Sequence, residues 1–226
     1  MRWLGVLILK IDALPMAMWY IITEAFTLTA AVGDFAGAGE EEVCMNKQDV
    51  HYSTYLRETL EVLSHDGALL VSVTKSGHAN VMTIGWGTFG WVWEKPILAV
   101  FVRPSRYTYH LLEESGDFTL NIPPRTLAET VAYCGSVSGR NFDKFAERKL
   151  TARASRRVRA PIIEECVVHY ECRVVEKNDV LLATLVPEIA QSAYRNGDFH
   201  RVYYGEILAT YADPDALVRL ANIAVR

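Results

Sequence analysis

The stretch from Asn80 to Asn121 constrains this chain most, because two strand-like runs, a glycine and tryptophan turn and a helix start follow one another there. Ile97 to Val102 is an uninterrupted apolar, β-rich run that predicts a buried strand, and Pro104 ends it because proline cannot donate to a ladder. Ser105 then stands where an N-cap belongs, ahead of Arg106 to Glu114 and a closing Gly116. A helix start offers unpaired N–H groups and the positive end of the helix dipole, both suited to a phosphate dianion. Arg103 and Arg106 flank that start, and Ser105 and Thr108 add hydroxyl donors, so charge-assisted hydrogen bonds could converge on one anion. Alone, Arg-Pro-Ser-Arg describes a capped surface helix with solvated arginines equally well.

The preceding residues favour a ligand. Gly85-Trp86-Gly87-Thr88-Phe89-Gly90 spells the dinucleotide fingerprint G-x-G-x-x-G after a strand-like run. That fingerprint needs a helix to begin at the glycines, whereas Trp91 to Pro96 and another strand follow here. The segment therefore predicts a loop joining two strands. Glycines beside tryptophans would let backbone approach a flat aromatic ligand, with ring surface to cover it. An aromatic-rich barrel corner has the same residues.

Together these blocks resemble the flavin reductase-like, FMN-binding split-barrel family. Asn80 to Trp86, Arg103 to Thr108 and Phe118 to Asn121 match its first signature. Cys134 to Phe145, Ala160 to Cys166 and Gly197 to Glu206 match later blocks in the same order, from about His51 to about Tyr211. The resemblance implies a split β-barrel, a Greek-key antiparallel barrel, that binds FMN and takes electrons from NADH or NADPH. It implies cofactor contacts at Asn80, Met82, Thr83, Gly85, Trp86, Arg103, Ser105, Arg106 and Thr108, with Lys144 and His200 near the flavin or the nicotinamide. It also implies a homodimer, with an electron-acceptor protein as a further partner, in the cytoplasm.

Residues 1–44 match least, and 45–226 are expected to be the flavin-binding domain. Trp3 to Leu9 and Ala13 to Thr23 are apolar but fall short of the roughly 18 residues of a membrane span. Three readings of this segment stand. It is an extension, a signal peptide ending near Ala36-Gly37-Ala38, or sequence upstream of a true start at Met45. Lys10, Asp12 and Glu24 interrupt what a signal core keeps apolar.

Beyond His51 the pattern predicts a mainly β domain with peripheral helices. Tyr52 to Ser64 has helical spacing and Asp66-Gly67 ends it. Gly67 to Thr74 and Ala79 to Ile84 predict an antiparallel pair joined at Ser76-Gly77, and 97–102, 117–122, Val167 to Glu176 and Arg201 to Tyr211 predict further strands. Short helices are expected at Leu127 to Tyr133 and from Asp213 to Val225, the latter with Pro214 near its first turn. Such strands suit a closed antiparallel barrel. Val180 to Tyr194 is an apolar insertion relative to the family, placed to cover the site, extend a dimer interface or alter donor access.

Other chemistries are excluded by what the chain contains. With 23 basic and 27 acidic residues among 226, it lacks a nucleic-acid footprint, and the basic run from Arg148 to Arg159 reads as a surface loop. A narrower expectation is that Arg156 and Arg157 attract the phosphates of a nicotinamide donor. The histidines form no metal-ligand spacing, and Cys166 and Cys172 lie about 20 Å apart along one strand, too far for a bridge. Cys134 is expected to be a small buried hydrophobe. No residue is assigned as catalytic, because hydride passes from nicotinamide to flavin with the cofactor supplying the electronics.

Overall fold

The computed structural model describes residues 47–221, so the expectations for residues 1–44 and for a start at Met45 lie outside the described residues. Strand β1 (Gln48–Asp49) leads to helix α1 (Leu56–Ser64), which starts four residues later than its apolar spacing suggests. Gly67 ends that turn at φ 90°, its N–H bonding the Val62 carbonyl at 2.8 Å. β2 (Ala68–Val73) and β3 (Ala79–Ile84) form the expected antiparallel hairpin around Gly77.

The glycine and tryptophan segment is not a loop. Gly87–Val92 is itself a strand, β4, paired antiparallel with β5 (Lys95–Val102). Their two-residue connection, Trp93-Glu94, has φ of 54° and 57°, the left-handed pair of a primed hairpin turn. Such turns are signalled by Asn-Gly or Asp-Gly, so Trp-Glu concealed this one. Of the expected loop only Gly85-Trp86 and the turn pair Trp93-Glu94 remain outside strands.

After β5 come helix α2 (Tyr107–Ser115), closed by left-handed Gly116, and β6 (Asp117–Ile122). Helices α3 (Ala128–Ser136) and α4 (Lys144–Arg148) then precede a small ladder of β7 (Ala152–Arg153) and β8 (Ile162–Ile163). Long strand β9 (Val168–Asp179) is followed by a 3-10 turn, α5 (Pro187–Ala193), β10 (Arg201–Ala212) and α6 (Ala216–Leu220). Pro214 precedes the Asp215 cap of α6 instead of occupying its first position.

The main sheet runs β3-β2-β6-β9-β10-β5-β4, with β1 on β10, and every pairing is antiparallel. Its two edges, β3 and β4, are separated in sequence only by Gly85-Trp86, which span at most about 11 Å. The sheet must therefore curl until its edges face each other. They form no ladder with each other, and the Phe101 N–H to the Trp86 carbonyl at 3.4 Å merely extends the β4–β5 pairing by one residue toward the seam. The barrel is thus split at this seam, as the family resemblance implied, although the strand pattern alone suited a closed one.

β2 is buried on both faces, which explains its uninterrupted apolar run. Leu70 joins Leu98, Val100, Phe118, Leu120 and Tyr170 in one core cluster, while Leu69 and Val71 pack in a second with Val131, Cys134 and Ile163. Gly205 sits at a bulge of β10, where a Cβ would lie 2.6 Å from the Phe118 ring, so only glycine fits.

Candidate functional site

Edge strand β3, the seam, the start of α2 and the α3–α4 connection enclose a cavity of about 400 Å³, within the size range of small-molecule sites. All eleven residues expected at the site line it. Asn80, Met82 and Thr83 come from β3, Gly85 and Trp86 from the seam, and Arg103, Ser105, Arg106 and Thr108 from the β5–α2 junction. Lys144 enters from α4 and His200 from the residue before β10.

The anion end differs in detail from expectation. Arg106, not Ser105, is the cap residue of α2, and no side chain caps the helix. The N-terminal N–H groups of α2 are therefore left for a ligand or water. Among the described residues the Arg106 guanidinium has no hydrogen bond or ion pair, and it is exposed to the cavity's solvent. Arg103 is instead committed to the chain, donating to the carbonyls of Ala193 at 2.9 Å, Gly197 at 3.3 Å and Asp198 at 2.7 Å. Its guanidinium carbon also lies 5.2 Å from the centre of the Tyr194 ring. The Ser105 hydroxyl and N–H donate to the Asp198 carboxylate at 2.6 and 3.3 Å. Buried Thr108 accepts a hydrogen bond from Asn80 Nδ2 at 2.9 Å, which ties α2 to β3.

The opposite end is flatter and more apolar. The outward backbone groups of β3 have no strand neighbour because β3 is an edge, so they can hydrogen-bond the rim of a planar ligand. Thr83 cannot help with its hydroxyl, which donates to Val131 at 2.5 Å. Trp86 is half exposed, 4.6 Å between ring centres from His200 and edge-on to Phe101. His200 is buried and hydrogen-bonded through Nδ1 to the Tyr194 hydroxyl at 2.8 Å. Burial first, and then the Arg103 charge, pull its pKa down to about 4, so it is neutral at pH 7.

Lys144 proves largely structural. It is 4 % exposed, and its ammonium donates to the carbonyls of Val81 at 2.9 Å and Cys134 at 2.7 Å. One of its three hydrogens remains for the cavity. Burial holds its pKa below the usual lysine value. Arg140 precedes α4, which begins at Lys144, and is held from another side. It donates to the Ser105 carbonyl at 3.1 Å and lies over the Tyr107 ring.

Sequence reasoning missed Phe101, Tyr107 and Gly139. Phe101 lies on a strand buried on both faces, where alternation marks no ligand side. Gly139 is required by contact, since a Cβ there would meet Asn80 Oδ1 at 1.8 Å. Cys134 is buried beside the cavity and, with Cys166 and Cys172, is a free thiol. The basic run points elsewhere. Arg156 pairs with Asp49 and covers the Tyr211 ring, Arg159 pairs with Asp117, and neither Arg156 nor Arg157 lines the cavity. Among the described residues no group of side chains could hold a metal ion, and no helix is long and apolar enough to cross a membrane.

A split antiparallel barrel with a cationic helix start at one end of its seam cavity and aromatic rings at the other suits a flat ligand that ends in a phosphate. Residues 64–223 match the flavin reductase like domain, and the chain belongs to that family. A relative from Archaeoglobus fulgidus, called an uncharacterized protein, is 33% identical over 135 residues, which are 59% of this chain and 66% of that protein. The flavoredoxin of Desulfovibrio vulgaris (Miyazaki F) is similar in structure, with a TM-score of 0.54, 26% identity and coverage of 66% of this chain and 70% of that one. Likeness of fold alone extends to an FMN-binding domain of a flavin reductases-like enzyme from Shewanella baltica, at 20% identity and a TM-score of 0.53, covering 74% and 78%.

Proposed function

We propose that this chain binds FMN in the seam cavity and works as an NAD(P)H-dependent flavin reductase-like oxidoreductase. The observation that carries this is the convergence of all eleven expected residues on one cavity, with an unpaired arginine at a helix start and an edge strand whose outward side no strand pairs. Arg106 and the N–H groups of α2 would hold the phosphate, with the Lys144 ammonium close by. The outward groups of β3 would meet the edge of the ring system, and Trp86 would shield one approach from water. A bound flavin would supply the hydride-accepting chemistry, so the protein's task is binding, orientation and exclusion of water. Neutral His200 adds a polar group without adding charge.

A second function is favoured by the likeness to flavoredoxin, namely an electron carrier reduced by a protein partner without nicotinamide turnover. A homodimer belongs to the proposal as well, and the exposed Trp91 and Val92 at the end of edge strand β4, with Trp93 in the turn beyond, support it. Sedimentation at micromolar concentration measures it.

Visible spectra of the full chain with FMN, under anaerobic NADH and then NADPH, separate these functions. Bleaching within seconds by one donor is the expected result and names that donor. A yellow protein reduced only by dithionite would support the carrier, and failure to bind FMN would refute both.

A further inference from the structure

Two of the groups expected to grip the phosphate are already bound to the chain itself. Both donors of Ser105, its hydroxyl at 2.6 Å and its N–H at 3.3 Å, go to the carboxylate of Asp198. The same turn is clamped by Arg103, whose guanidinium donates to the Gly197 and Asp198 carbonyls. Gly197 and Asp198 are both left-handed, at φ 72° and 54°, a tight turn that sets the carboxylate against Ser105. Asp198 lies outside the cavity lining while Ser105 and Arg103 are part of it. The anion end therefore has an exposed carboxylate bonded directly to a lining residue, occupying donors that an incoming phosphate would otherwise use.

A carboxylate in that position acts on a ligand in two ways. It withholds two hydrogen bonds, and it repels a second anion across a few ångströms. A neutral ligand with the same ring system feels neither effect. We propose that Asp198 is a specificity-determining residue that lowers affinity for the phosphate of FMN while leaving affinity for the uncharged flavin, riboflavin, unchanged. The consequence is a small preference between the two and an exchangeable flavin. This inference rests on the flavin-binding function proposed above.

Asp198→Asn is the informative variant, because asparagine tolerates the left-handed turn and keeps an acceptor for Ser105 while removing the charge. Flavin fluorescence titrations with FMN and riboflavin, on wild type and on this variant, read both affinities. FMN binding is expected to tighten about tenfold, worth one decade of Kd, with riboflavin moving less than twofold. Asp198→Ala, which also frees the Ser105 donors, is expected to shift the ratio of FMN to riboflavin affinity at least as far. Thermal unfolding of each variant controls for loss of the turn. An unchanged affinity ratio, or parallel weakening of both flavins, would overturn the proposal and make Asp198 a purely structural cap. Wild-type protein that binds neither flavin would instead refute the flavin-binding function, and this inference with it.

Discussion

Arg103 and Arg106 stand three residues apart at one helix start, yet the fold gives them different tasks. Arg106 is unpaired among the described residues, whereas Arg103 holds the 193–198 segment through three carbonyls. Arg106→Gln is expected to weaken FMN binding roughly 10- to 100-fold, the range of one or two lost charge-assisted bonds, and to spare riboflavin. Arg103→Gln should weaken both flavins and lower the thermal midpoint, because three carbonyls, two of them half-buried, lose their donor. Titrating each variant with both flavins distinguishes the two roles. Gly139 tests close packing in the same way. A methyl there must displace Asn80 Oδ1, and a Tyr107 ring carbon lies at 3.0 Å, so Gly139→Ala is expected to cost at least about tenfold in FMN affinity. Fluorescence titration reads it, and unaltered affinity would mean that Asn80 swings aside freely.

At the scale of elements, the β4–β5 hairpin shapes the seam through a turn made of residues ill suited to it. Left-handed backbone costs an L-residue about 1–2 kcal/mol, and Trp93 and Glu94 both adopt it. Trp93 recovers part of this through edge contact with Tyr204. Glu94→Gly relieves strain without removing that ring, so it is expected to stabilise the protein by about 1 kcal/mol in guanidinium unfolding. The insertion from Val180 to Tyr194 is likewise an element with a task. It ends in Tyr194, whose hydroxyl and ring reach His200 and Arg103, so one end of it builds the wall behind the cavity. The apolar side chains of Leu181, Leu182, Val186 and Ile189 remain exposed.

For the whole molecule, two buried imidazoles set the response to acid. His169 is fully buried, bonded through Nδ1 to Asn121 Oδ1 at 2.8 Å, and burial drives its pKa well below the ordinary value, as it does for His200. Both are neutral in the native state and protonate first in the unfolded chain. The stability they contribute is therefore present above about pH 6.5 and is lost as pH falls below it, toward about 4 for His200, with a limiting slope of about 1.4 kcal/mol per unit for each imidazole. Urea midpoints between pH 7.5 and 4.5 should show this slope, and His169→Gln should flatten it. The sequence by itself determined the strands at β2, β3, β5, β6, β9 and β10, because apolar runs, glycine stops and a proline break are local signals, while most of the candidate site residues came from the family resemblance. It did not reveal strand β4, where the barrel splits, or the true employment of Arg103, Ser105 and Lys144. Those depend on which backbone groups segments far apart in sequence bring within 3 Å of a side chain. A guanidinium, hydroxyl or ammonium reads the same in sequence whether it faces a ligand or a carbonyl 90 residues away, and only the tertiary structure decides which partner is nearer.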